Sequence, residues 1–128
     1  MSKLNFAHIC DMAFLSKEDK LNIIGIFKAI NANSFPIVHP KMTCAVNITI
    51  DKPATLKLQI LESKNKEMLS KIEAKLDPKF DKKKEIEIGF IGDFMNLKFE
   101  KAGLYDLEIW LDDDLVATKG FDVNLAGK

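Results

Sequence analysis

The sequence predicts an all-β protein, an antiparallel two-sheet β-sandwich of seven to nine strands. Apolar and polar residues alternate with a period of two along most of the chain, as in strands that have one buried face and one solvated face. Turn-forming residues interrupt the alternation about every eight to twelve residues, a spacing typical of sandwiches and barrels. No long stretch keeps a helical period, so we expect any helices to be limited to a turn or two in the loops.

The first third of the chain predicts two strands followed by an irregular connection. The first strand covers about Leu4 to Phe14, and the second covers about Leu21 to Asn31. Both faces of the second strand are apolar, which predicts a central position in a sheet. Gly25, in its middle, predicts a bulge or the close approach of another element. The segment 31–42 contains two prolines and predicts an irregular connection, in which the loop from Phe35 to Pro40 folds over the end of the sandwich.

The rest of the chain alternates more regularly and predicts the remaining strands. A phase break at Lys119-Gly120 indicates a β-bulge in the last strand. A chain of 128 residues has room for one core, so residues 1–128 are expected to form one domain. The apolar residues that define the predicted strands are Cys44, Val46, Ile48 and Ile50; Leu56, Leu58 and Ile60; the run Met68 to Leu76; Ile86, Ile88 and Phe90; Tyr105, Leu107, Ile109 and Leu111; and Phe121, Val123 and Leu125.

Composition and charge bear on the compartment and on partners. The 19 basic residues balance 19 acidic ones, and all the basic residues are lysine. Arginine supplies the bidentate contacts that nucleic-acid binders favour, so its absence argues against such partners. No apolar run reaches the length of a membrane span, and the first residues lack the pattern of a signal peptide. We therefore expect a cytoplasmic protein without membrane contact, in which both cysteines stay reduced.

The closing segment resembles an immunoglobulin-like domain. Leu97, Gly103, Tyr105 and Leu107 are similar to the residues before and within strand F of such domains, where a tyrosine turns the corner and bonds back to the upstream backbone. Lys101 stands where an aspartate is usual, and no cysteine is found at position 107. The resemblance implies an Ig-like sandwich without the inter-sheet disulfide.

A second resemblance covers more of the chain. Cys10-Asp11, the run KLNIIGIF at 20–27, SFPIVHP at 34–40 and the F-x-x-x-G-x-Y step at 99–105 are similar to the signature of a family of small, uncharacterised bacterial and phage proteins. Asp19 stands where that family often has glycine. No activity is assigned to the family, so the resemblance supports the fold and leaves the chemistry open.

Four soft metal ligands define one alternative. His8 and Cys10 lie two residues apart on a predicted strand and so point to the same side, and His39 and Cys44 could complete a tetrahedral zinc set. Their spacing matches none of the usual zinc motifs. Cys44 is also in phase with buried apolar residues, where a small thiol is ordinary. We therefore favour no metal site, and keep a zinc-stabilised module as an alternative.

Catalytic patterns are absent from the sequence. It contains no phosphate-binding glycine loop and no nucleophile elbow. Cys10-Asp11 could supply a nucleophile, but neither a base nor an orienting group is defined. The acidic run 112–114 is most simply a solvated hairpin tip. The sequence thus predicts no enzyme, no catalytic residue and no cofactor.

Binding to a protein partner, or self-association, is the function that the sequence favours. Trp110 is out of phase with its buried neighbours and should point outward, as interface anchors do. Phe35, Ile37 and Val38 form a second apolar cluster, for which a structural role at the end of the sandwich is favoured over a contact role. The predicted function is a non-catalytic protein-binding or assembly module. A small-ligand or nucleotide-sequestering protein is the other alternative, and it requires a deep polar pocket with convergent lysines.

Overall fold

Nine β-strands make up the secondary structure of residues 2–126, the part of the chain that the computed structural model describes. Residues 2–126 contain no helix of the length and hydropathy that would be needed to cross a membrane. The strands are β1 (Lys3–Leu15), β2 (Leu21–Ile26), β3 (Ala29–Ala32), β4 (Ile37–Ile50), β5 (Ala54–Glu62), β6 (Met68–Leu76), β7 (Ile86–Phe99), β8 (Gly103–Leu111) and β9 (Asp114–Leu125).

The strands form two sheets that pack as a sandwich. One sheet has the order β2-β1-β4-β7 and the other has the order β3-β9-β8-β5-β6. Every pairing is antiparallel except that of the short β3 with β9, which is parallel. The arrangement separates β4 and β7 from β5, β8 and β9, as an Ig-like fold separates strands B and E from strands C, F and G. The predicted all-β, Ig-like sandwich is confirmed.

The core lies between the sheets and is built by the alternation seen in the sequence. Cys44, Ile48 and Leu107 are fully buried, and the register pairs Leu58 with Ile109. Three aromatic rings close one end of the core: Phe99 lies 4.9 Å from Tyr105 between ring centroids, and Phe121 lies within 6.2 Å of both.

The tyrosine corner is present. The Tyr105 hydroxyl donates a hydrogen bond to the Lys101 carbonyl oxygen at 2.8 Å. This bond ties the start of β8 to the turn before it, as the resemblance to immunoglobulin-like domains implied.

The predicted second strand is wrong in length and in position. It was expected to run from Leu21 to Asn31 at the centre of a sheet, but β2 ends at Ile26 and is an edge strand. The chain then crosses to the other sheet, where Ile30 and Ala32 are buried in β3. An unbroken apolar run does not show where a chain changes sheets, because both sheets bury the same kinds of side chain.

Two further predictions about strands need correction. The segment 31–42 was expected to be irregular, but β4 begins at Ile37. Pro40 is tolerated there because β1 pairs with β4 only from Thr43 onward, which leaves one edge of β4 open at Pro40. The bulge expected at Lys119-Gly120 lies instead opposite Ile109 and Trp110, where Val116 is the extra residue.

Candidate functional site

The four candidate metal ligands do not converge. Cys10 pairs with Thr43 and Cys44 pairs with Ile9, so successive positions of the same ladder send the two thiols to opposite faces of the sheet. His8 lies opposite Ala45, and His39 pairs with Leu97 at the far end of β4. Among residues 2–126, no three or more His, Cys, Asp or Glu side chains are arranged to hold a metal ion.

His39 is half-buried, and both cysteines are fully buried. The Nε2 atom of His39 is buried without a hydrogen-bond partner among the described residues, and its ring centroid lies 6.3 Å from that of Phe27. Burial raises the pKa of both thiols, that of Cys44 to about 12. A buried thiol with a raised pKa is a poor nucleophile.

Trp110 lies on the outer face of the five-stranded sheet, as its phase indicated. Its neighbours Ile109 and Leu111 are buried, whereas the indole is half-buried. The Nε1 atom donates to the Glu108 carboxylate at 3.3 Å, and the Lys57 ammonium lies 5.0 Å from the ring centroid. The indole is therefore packed among polar neighbours that already occupy its edge and its face.

The apolar cluster in the predicted loop divides into two parts. Phe35 and Ile37 pack against the main core and are half-buried, whereas Val38 is 52% exposed. Two of the three side chains thus hold the end of the sandwich, and one faces solvent.

A surface cleft of about 480 Å³ lies between the β5–β6 and β7–β8 turns. It is lined by Glu62, Lys64, Lys101, Leu104 and Tyr105, among others. The Lys101 ammonium is 3.4 Å from the Glu62 carboxylate, so this lysine is already paired with an acid. The cleft is open to solvent and differs from the deep pocket with convergent lysines that the ligand-binding alternative requires.

The most unusual feature of the surface is a hairpin that folds back across the four-stranded sheet. We call the segment Asp11 to Ile26, which holds the second half of β1, the turn and β2, the hairpin arm. A β-carbon on Gly89, in β7, would lie 3.7 Å from Leu15 and 3.9 Å from Leu21. Gly89 pairs with Asn47 of β4, and Asn47 in turn pairs with Phe6 near the start of β1. The tip of the arm, at the end of β1, must therefore fold back over the sheet to contact Gly89.

The fold-back explains why the outer face of β4 is buried. Thr43 and Ala45 belong to that face, and both are fully buried. The Thr43 hydroxyl donates to the Asp93 carboxylate at 2.7 Å and lies 3.4 Å from the Asp11 carbonyl oxygen. These contacts satisfy the hydroxyl beneath the arm, where water is excluded.

Gly25 is required at the bend of the arm. It has a φ of +72°, a left-handed conformation that glycine adopts without strain. A β-carbon there would overlap the carboxylate of Asp11, the residue across from it in the hairpin. The close approach predicted at Gly25 is confirmed, and the approaching group is the Asp11 side chain.

One face of the arm covers the sheet and the other is open to solvent. Met12 pairs directly with Ile24, and Phe14 shares their face two residues along. These three side chains are 41%, 49% and 43% exposed, respectively, and Ile26 at the base of the arm is 56% exposed. We call these four residues the outward face. Sequence reasoning missed this surface, although a strand with two apolar faces was the signal.

Comparisons with known proteins define a family and a fold. Residues 5–124 match the model of a family of unknown function (DUF6941). No curated protein matches the sequence. A β-glucosidase from Listeria innocua, solved in complex with isofagomine, is similar over 96% of this chain at 10% identity with a TM-score of 0.51, but this chain spans only 16% of that enzyme. An immunoglobulin-like protein from Pseudomonas aeruginosa is 14% identical over 96% of both chains, with a TM-score of 0.46.

Proposed function

The chain belongs to this family of unknown function, and we propose from its own surface that it is a non-catalytic protein-binding module. The single observation that carries the proposal is the outward face of the hairpin arm. Met12, Phe14, Ile24 and Ile26 remain between 41% and 56% exposed on one segment. A contiguous apolar patch on a folded domain is a typical interaction surface.

The size of the outward face suits a protein contact. Four side chains of roughly 200 Å² each, about half exposed, present roughly 400 Å² of apolar surface. Burying that area contributes about 10 kcal/mol before costs. Association itself costs about 4–15 kcal/mol, so a partner must add comparable apolar area and polar contacts of its own.

Polar groups surround the outward face. Asp11 lies at the bend, Asn22 lies opposite Phe14, and the turn at 16–20 carries two lysines and two acids. An apolar centre with a polar rim is the usual anatomy of a protein interface. The balanced charge of the chain and the absence of arginine support a protein partner rather than a nucleic acid, and we propose a cytoplasmic setting without membrane contact.

Two observations support a role without catalysis. Burial raises the pKa of the Cys10 thiol, the candidate nucleophile considered from the sequence. The cleft beside Tyr105 holds an ion pair between Lys101 and Glu62 rather than a convergent set of groups with a free base. Binding through an apolar surface requires neither a nucleophile nor a base.

The test compares three variants as baits for proteins of the native host. Phe14→Lys places a charge on the outward face, and Leu115→Lys makes the same kind of change at a residue 47% exposed on the β8–β9 hairpin. Trp110→Ala removes the other candidate anchor. We expect a partner that is retained by wild type, L115K and W110A and lost with F14K. Equal recovery with F14K, or loss with W110A alone, contradicts the assignment to the arm.

A further inference from the structure

The hairpin arm lies outside the core of the sandwich. Of the described residues that form the core or pack against it, none lies between Asp11 and Ile26. The arm instead covers the outer face of the four-stranded sheet, where Thr43 and Ala45 are fully buried. The packing between the two sheets therefore does not depend on the arm.

Few polar contacts attach the arm to the sheet beneath it. At the base of the arm, the Thr43 hydroxyl lies 3.4 Å from the Asp11 carbonyl oxygen. From Ala13 to Ile24, every hydrogen bond and ion pair that the structure describes joins two residues of the arm itself. Beyond its base, the arm is thus held to the sheet by apolar contact alone.

The apolar contact at the tip of the arm is small. Leu15 and Leu21 lie over Gly89 of β7, a residue without a side chain to pack against them. Leu15 is still 47% exposed in this position. A two-stranded hairpin has little stability of its own in water, and segments with few buried apolar contacts open at a lower free energy than the whole domain unfolds.

We propose that the hairpin arm is a displaceable cover, which opens as a unit at its base while the sandwich stays folded. Asp11 and Gly25 lie opposite each other at that base, and a glycine there can absorb the backbone rotation that opening requires. Opening exposes the covered face of the sheet and frees Leu15 and Leu21 on the inner side of the arm. The inference goes beyond the proposed function, because it concerns the covered face rather than the outward face.

The two cysteines make opening of the arm measurable. Cys10 pairs with Thr43, so its side chain shares the covered face, and it is fully buried there. Cys44 is equally buried, but it belongs to the core on the other side of the same sheet. Opening of the arm should expose Cys10 alone, whereas unfolding of the domain exposes both thiols.

Labelling of the native protein with iodoacetamide tests the cover, with the label at each cysteine quantified by peptide mass spectrometry. In wild type, Cys10 should react at least about tenfold faster than Cys44, because local opening is more frequent than unfolding. Leu15→Ala weakens the contact at the tip and should speed the reaction of Cys10 about fivefold. The matched variant Leu115→Ala changes a leucine of the same 47% exposure on the β8–β9 hairpin and should leave the Cys10 rate within about twofold.

A disulfide across the tip tests whether the arm itself must move. The β-carbon of Leu21 lies 3.9 Å from the position of a β-carbon on Gly89, within the range of about 3.5–4.5 Å found across disulfides. Oxidised Leu21→Cys/Gly89→Cys should lower the ratio of the Cys10 rate to the Cys44 rate at least about tenfold. The control Leu21→Ser/Gly89→Ser cannot form the bond and should retain the faster reaction of Cys10.

The outcomes separate the cover from the proposed function. Equal rates for Cys10 and Cys44 in wild type and in L15A overturn the cover, because both thiols then reach solvent only when the domain unfolds. A faster reaction of Cys10 that the disulfide leaves unchanged also overturns it, because the arm then does not have to move. In either case, loss of a host partner with F14K still supports the binding module.

Discussion

Replacing Gly25 with alanine should destabilise the protein by about 2–4 kcal/mol. The φ of +72° places residue 25 in the left-handed region, which costs an L-residue about 1–2 kcal/mol. The new methyl group must also displace the Asp11 carboxylate, which it would overlap. Overpacking of this kind adds about 1–2 kcal/mol, toward the lower end of the range for small-to-large changes.

A double variant separates the two contributions. Asp11 is exposed, so Asp11→Ala alone should change the free energy of unfolding by less than about 0.5 kcal/mol. Combined with G25A, it removes the overlap and leaves the cost of the backbone conformation. The double variant should therefore recover about 1 kcal/mol relative to G25A alone, which appears as a coupling energy in the double-mutant cycle.

Urea denaturation followed through the fluorescence of Trp110, the single tryptophan, provides the assay. The midpoint should fall while the slope m stays constant, since the same surface is exposed on unfolding. Gly120→Ala is the matched control, because its β-carbon would lie 3.6 Å from the nearest atom, at Asp106. A cost of less than about 0.5 kcal/mol for G25A, or no recovery with D11A, would refute the bend at Asp11 and Gly25.

Three further predictions concern side chains in the five-stranded sheet and the core. Tyr105→Phe removes the hydrogen bond to the Lys101 carbonyl and should lower the free energy of unfolding by about 1–2 kcal/mol in urea. Burial raises the pKa of Cys44 from 9.0 to about 12; the unfolded thiol therefore loses its proton first, and stability should fall as pH rises from about 9 to 12. Cys44→Ala should show a smaller alkaline loss in the same titration, and an equal loss would contradict this cause. Trp110→Ala should cost about 1 kcal/mol or less on thermal unfolding, since the indole is half-buried beside Lys57; a much larger cost would place it in the core.

The fold could be predicted because alternation reports burial directly. Residues such as Ile48, Leu58 and Leu107 follow a period of two, and the two-sheet structure buries all three completely. Tyr105 could be predicted because the corner depends on one side chain and a local backbone acceptor. These features follow from short-range patterns, which a single sequence contains.

The crossing between sheets could not be predicted for the opposite reason. Phe27 continues the apolar run of β2, yet it packs against the core as the chain leaves one sheet and enters the other. Its N–H still bonds to the Ile9 carbonyl oxygen at 3.0 Å. The break depends on where Ile30 finds space beside β9, and that is a property of the assembled sandwich.

The edge position of β2 could not be predicted, because the apolar pattern of a strand does not show which neighbours cover its two faces. A strand with two apolar faces is stable when both faces are covered. It lies at the centre of a sheet only if its own chain covers both of them. Here the sheet covers the side of Leu21, while Ile24 remains 49% exposed. A sequence that keeps apolar residues where its own fold leaves them in water departs from the consistency expected of a foldable chain. Such departures concentrate at functional surfaces, which is why the arm, rather than the well-satisfied Trp110, is the better place to look for a partner.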